Sequence, residues 1–164
     1  MRRPRRPGGA ARSATVTATA NLETRRDGLW IASIVLALLG LVDSIYLTWI
    51  KLANQTGTCA LIGDCETVNN SRYAEVAGIP IALIGAAGYL LILGMLAVDR
   101  PDRGGSEPIR FGLFGVTLAG TVYSAYLTYL EVFVLQAICP FCVVSAVVMV
   151  GLFALSLMRL RLWA

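Results

Sequence analysis

The stretch Ile138-Cys139-Pro140-Phe141-Cys142-Val143-Val144-Ser145, continued without a charge to Leu157, decides how this chain is read. Ile138–Leu157 is predominantly apolar. At about 1.5 Å per helical residue it is long enough to cross a hydrocarbon core of about 30 Å. Its mouth carries a Cys-Pro-Phe-Cys dithiol. A membrane helix has no structural need for that pair. Dithiol–disulfide chemistry needs two thiols within bonding reach, one of them activated. Pro140 suits a first helical position, which puts Cys139 at the N-cap. There, unpaired backbone N–H groups and the helix dipole favour a thiolate. Cys142 follows on the same face, about 4.5 Å deeper. One sulfur is expected to face an aqueous loop and the other the membrane, where a lipid-soluble oxidant could meet it.

Working outward, three more such stretches occur: Leu29–Ile50, Ile79–Val98 and Phe111–Phe133. The composition agrees, with 57% hydrophobic and 15% charged residues. A soluble domain of this length would carry more charge and fewer long apolar runs. The expected fold is therefore all-α, an integral membrane four-helix bundle. The net charge of +4 could suggest a nucleic-acid partner, but its distribution argues against one. Arg2, Arg3, Arg5, Arg6, Arg12, Arg25 and Arg26 precede the first span, and Arg100, Arg103 and Arg110 lie between spans 2 and 3. Arg159 and Arg161 follow the last span, which leaves only Lys51 and Arg72 for the other face. This positive-inside bias predicts a multi-pass protein of the inner (plasma) membrane with both termini cytoplasmic. The 53–78 loop and the 134–137 turn then face outward. Cys59 and Cys65, in that loop, join Cys139 and Cys142 on the extracytoplasmic side, where disulfides form and turn over.

Residues 1–27, rich in Arg, Pro, Gly, Ala and Thr, read as a disordered cytoplasmic tail, and residues 28–162 as the membrane domain. Trp30 and Trp49 sit near the two ends of span 1, as interfacial anchors do. A short surface helix is expected over Ser71–Ala77, capped by Ser71 and closed by Gly78 before Pro80 opens span 2. A partial repeat relates Gly40-Leu41-Val42-Asp43-Ser44-Ile45-Tyr46-Leu47-Thr48 to Gly120-Thr121-Val122-Tyr123-Ser124-Ala125-Tyr126-Leu127-Thr128. Duplication explains it. So does convergence, because Ser and Thr hydroxyls bind membrane helices together.

The chain has no histidine, so any proton handling must use thiols, carboxylates, hydroxyls or water. Cys59 and Cys65 can close a small disulfide loop, with Gly63 letting the chain turn back. Exposed in a loop, such a bond is labile. Other readings of the four cysteines are a structural zinc site of four thiolates and two inert disulfides in a non-enzymatic membrane scaffold. Paired CxxC motifs in soluble ribbons are the commoner zinc arrangement, so no metal is expected. Asp43 is an intramembrane carboxylate, which is costly to bury and functional by default. It reads either as a polar wall or proton route for a redox ligand, or as a protonated carboxyl satisfied by its neighbours. The other carboxylate in a span, Glu131, falls at an outer edge. No buried relay of charges suggests a pump.

Together these residues resemble the vitamin K epoxide reductase family, over about residues 28–160. The shared features are four spans, a loop cysteine pair before span 2, Ser71 six residues after Cys65, the Gly78-Ile79-Pro80 opening, and a CxxC opening span 4. The resemblance, to a bacterial homologue, implies a bundle around a quinone (menaquinone or ubiquinone) that accepts electrons. It implies a quinone-dependent thiol–disulfide oxidoreductase that generates disulfides in a thioredoxin-like (DsbA-like) extracytoplasmic protein. By this resemblance Cys59 meets the partner, Cys65 exchanges with Cys139, Cys142 contacts the quinone, and Ser71 shapes the quinone pocket. Many bacterial relatives carry a fused thioredoxin-like domain; here none follows the bundle, so a separate partner is expected. Animal relatives have a tyrosine where this chain has Ala146, which favours plain quinone reduction over vitamin K epoxide. The other bacterial quinone-linked disulfide generator places its CxxC in the first outer loop, unlike this chain.

Overall fold

The computed structural model describes residues 9–53, 67–68, 70–100 and 107–163. Among these, four helices form the bundle: α1 (Gly9–Leu52), α2 (Ile81–Val98), α3 (Glu107–Tyr129) and α4 (Pro140–Trp163). The segments Thr19–Leu52, Ile81–Val98, Glu107–Leu135 and Pro140–Leu162 are long and apolar enough to cross a membrane. The all-α four-span architecture expected from the sequence is thus the one observed.

The helices form a ring in which α1 packs on α2 and α4, and α3 packs on α4. The closing pair, α2 and α3, touches least. Ala37, Tyr89, Ile92, Leu96, Leu113, Val148, Met149 and Leu152 make one buried cluster along the axis. Apolar side chains such as Leu91, Val122 and Val147 point outward, where lipid replaces water as the solvent. Apolar burial drives little in lipid, so close approach and hydrogen bonds do the packing. Gly40 lies against the Tyr89 ring, and any Cβ there would collide with it. A Cβ on Gly120 would stand 2.8 Å from Met149 Sδ. Thr117 and Ser156 share a hydrogen bond of 3.0 Å between α3 and α4. Tyr89 Oη lies 2.9 Å from Ser145 Oγ, joining α2 to α4.

The repeat noted in the sequence has a structural counterpart. Thr48 Oγ1 donates to the Ser44 carbonyl at 2.8 Å, and Thr128 Oγ1 donates to the Ser124 carbonyl at 2.9 Å. Each helix thus uses a glycine for close approach and then a serine–threonine pair one turn apart.

The first helix reaches back to Gly9. Once the membrane segment supplies a nucleus, each further residue adds a hydrogen bond that offsets the entropy of fixing it. One expectation is corrected. The short helix over Ser71–Ala77 is absent. Residues 70–74 form turns, and Glu75–Val76 (β1) pairs antiparallel with Ile79–Pro80 (β2). The reversal falls at Ala77 and Gly78, both at positive φ (55° and 81°). Gly78 therefore makes a hairpin turn instead of ending a helix. Pro80, with ψ 131°, caps α2 from outside. Ile81 N–H donates to the Ala74 carbonyl at 2.9 Å, and Lys51 Nζ lies 3.0 Å from Glu75 Oε1. Both contacts hold the hairpin over the bundle mouth.

Candidate active site

α4 begins at Pro140, so Cys139 holds the N-cap and Cys142 is the third helical residue. The Cys142 N–H points at Cys139 Sγ, 3.4 Å away. The sulfur therefore takes the place that a serine or aspartate oxygen fills in an ordinary cap. The Cys139 thiol titrates below the ordinary cysteine range. The first cause is a hydrogen bond from the Cys142 thiol, and burial partly opposes it.

Cys139 is only 1% exposed, so it does not face an open aqueous loop as the sequence suggested. It packs in a cluster with Leu47 from α1, Ala137, and Val68 from the segment between α1 and α2. Val68 stands three residues after Cys65. Cys59 and Cys65 lie outside the described residues, as does any pairing between them.

The group that the sequence reading passed over is Glu131. It was placed at the outer edge of a span, yet it is 4% exposed. α3 continues as a wider helical segment, Leu130–Leu135, which ends at Gln136 in the left-handed conformation. Such widened turns re-aim side chains and are frequent at functional sites. Here Leu130 and Glu131 turn inward while Val132, Phe133 and Val134 face out. Glu131 Oε2 accepts from the Cys139 N–H at 3.3 Å, and its carboxyl lies beside the Cys142 thiol. One signal was available in the sequence: a carboxylate inside an apolar run, a few residues before a redox motif.

Beside this trio lies a chamber of about 380 Å³ between the helices. Its wall is mostly apolar, with Cys142, Glu131, Ser44, Ser71, Ser124 and Ser145 among the few polar contributors. That size and lining match an ordinary small-molecule site. Ser71 lies on the chamber wall. Its hydroxyl donates to the Val68 carbonyl at 2.8 Å, which ties the wall to the segment packed with Cys139. Asp43 is buried but does not line the chamber; its neighbour Ser44 does. One residue is about 100° of helix rotation, enough to move a side chain off the wall. Asp43 Oδ2 has no hydrogen-bond partner among the described residues. Among those residues no cluster of three or more histidine, cysteine or acidic groups is set to hold a metal.

Fold and site define a class first: a membrane four-helix bundle with a dithiol at the mouth of its last helix, beside an apolar chamber. The chain belongs to the vitamin K epoxide reductase family, whose sequence model matches residues 31–157. It is also 34% identical over 128 residues to the thiol-disulfide oxidoreductase LTO1 of Arabidopsis thaliana. That alignment takes in 74% of this chain and 34% of the plant protein, so the chain spans about a third of that relative's length. Membership implies oxidoreductase activity in general. What is shared is the family, not a bacterial branch or a domain arrangement.

Proposed function

We propose that this protein oxidises the dithiol of a separate thioredoxin-like protein and passes the electrons to a membrane quinone. The observation that carries this reading is the position of Cys142: on the wall of the chamber that Glu131 also lines, one helical turn from Cys139. The chamber fits a quinone head group in volume and in its apolar lining, with hydroxyls at its edge. Bound there, a quinone supplies a two-electron, two-proton acceptor.

The chain's own residues do the rest. A partner's dithiolate attacks the Cys59–Cys65 disulfide at Cys59; the partner leaves oxidised and the loop pair is reduced. Cys65 then attacks a Cys139–Cys142 disulfide at Cys139, restoring Cys59–Cys65 and leaving Cys139 and Cys142 reduced. Reach supports this exchange. Val68 is three positions after Cys65, about 10 Å of extended chain, and it packs in the same cluster as Cys139. Glu131 is placed to take the proton that Cys142 loses when the inner disulfide re-forms. The arginine-rich end, opposite the dithiol, faces the cytoplasm in this reading, and the dithiol faces outward.

The test is oxidation of a reduced thioredoxin-like protein by the purified full chain in detergent, with and without added ubiquinone or menaquinone. Quinone-dependent disulfide formation, lost in Cys142→Ser, is expected. Oxidation that needs no quinone, or none at all with all four cysteines present, overturns the proposal.

A further inference from the structure

At the end of the bundle away from the dithiol, α1, α2, α3 and α4 converge on a group of charges. Asp99, 1% exposed, accepts from Arg110 Nε at 3.2 Å and is ion-paired with Arg159 Nη2. The same Nη2 donates to the Asp99 carbonyl at 3.1 Å. Arg26 Nη2 reaches the Leu162 carbonyl at 3.5 Å. Arg100 is exposed beside them. These five residues line one small cleft.

Asp99 pairs with two of the four guanidiniums that line the cleft. A purely structural ion pair would use its donors. Instead, Arg159 is 7% exposed and its Nη1 is buried with no hydrogen-bond partner among the described residues. A buried guanidinium donor left unmet is costly. The cleft has about 10 Å³ of room, enough for one oxygen atom and not for a whole anion. An oxygen seated there would have the rest of its group over Arg26 and Arg100, which are more open.

We propose that this cleft binds a phosphate group, with one oxygen accepting from Arg159 Nη1 and the remaining charge met by Arg26 and Arg100. Guanidiniums suit phosphate because their donors form a fixed planar fork. Anionic phospholipid headgroups and free phosphate share this chemistry. A cleft at the end of four membrane spans lies at headgroup depth, where basic pockets between helices hold anionic lipid.

The experiment uses the full chain, delipidated in an uncharged detergent. Thermal unfolding is followed while short-chain phosphatidylglycerol, phosphatidylcholine of the same chain length, or inorganic phosphate is titrated in. Phosphatidylglycerol is expected to act at about tenfold lower concentration than phosphatidylcholine, and Arg26→Gln with Arg100→Gln should remove that preference. Those two side chains are not fully buried, so this variant should stay folded. Arg159→Lys keeps the charge opposite Asp99 but lacks Nη1, and should weaken binding too. A response to inorganic phosphate alone, lost in the same variants, supports the site with the free ion as its occupant. Equal responses to the two lipids with no response to phosphate overturn the proposal, as does any response that survives both variants.

Discussion

Each end of this bundle buries one carboxyl, and the two are partnered in opposite ways. Asp99 is held between the guanidiniums of Arg110 and Arg159. Glu131 accepts from the Cys139 N–H and lies beside the Cys142 thiol, with no cation paired to it among the described residues. A carboxyl fixed by permanent charges cannot give up its ionised state cheaply, so it braces the helices. A carboxyl beside thiols has neighbours that gain and lose protons, so it can trade with them. The difference teaches that burial of a carboxyl does not name its role; the titration of its neighbours does.

The largest expected effect breaks the dithiol end. Cys142→Ser should bring quinone-dependent oxidation of a thioredoxin-like protein to background, because no inner disulfide can form. Thermal unfolding should hardly move, since serine keeps the size and the backbone. Activity retained by this variant would remove Cys142 from electron transfer.

Next comes the brace. Asp99→Asn removes the carboxylate charge that pairs with two buried guanidiniums, and stability should fall by about 3–5 kcal/mol. Denaturation in detergent measures it. The folded fraction should oxidise the partner at the normal rate. A slowed rate with intact stability would mean that the two ends are coupled.

Glu131→Gln should behave the other way. The amide keeps the shape and can still accept from the Cys139 N–H, so stability should change by about 1 kcal/mol or less. Turnover should fall by about a hundredfold, the usual scale for losing a positioned proton acceptor. Unchanged turnover would make Glu131 a second brace and erase the contrast between the ends.

The smallest effect is on pH dependence. Because the Cys139 thiol titrates below the ordinary range, its thiolate persists to lower pH, and its alkylation should reach half rate below the pH typical of a free cysteine. The Cys142 thiol is the first cause, so Cys142→Ala should move that midpoint upward. Mass spectrometry of alkylated peptides reads both variants. An unmoved midpoint would assign the depression to the helix end instead.

Much of the site was legible in the chain. The CxxC at Cys139 and Cys142 could be placed at a helix mouth because Pro140 and the apolar run after it fix where α4 starts. The family resemblance singled out Ser71 as a quinone-pocket contact, and Ser71 lines the chamber whose ligand is proposed above. The Ser71–Ala77 segment was misread because its apolar residues suit a one-turn helix as well as a hairpin. Local propensity could not register the positive φ at Ala77 and Gly78. Glu131 was missed because periodicity assumes an unbroken α-helix, and the wider turn at Leu130–Leu135 re-aims it.

By itself the sequence determined the four spans, since a hydrocarbon core of about 30 Å demands long uncharged runs whatever the packing. It also determined that Cys139 and Cys142 lie one helical turn apart, because helix spacing is local. Only the tertiary structure decided that Cys139 packs with Val68, that Glu131 meets Cys142, and that Asp99 draws Arg110 and Arg159 into one cluster. Those contacts join residues from different helices. They depend on how each helix is rotated, and in lipid that rotation is set by glycine contacts and hydroxyl bonds between neighbours rather than by any pattern along one helix.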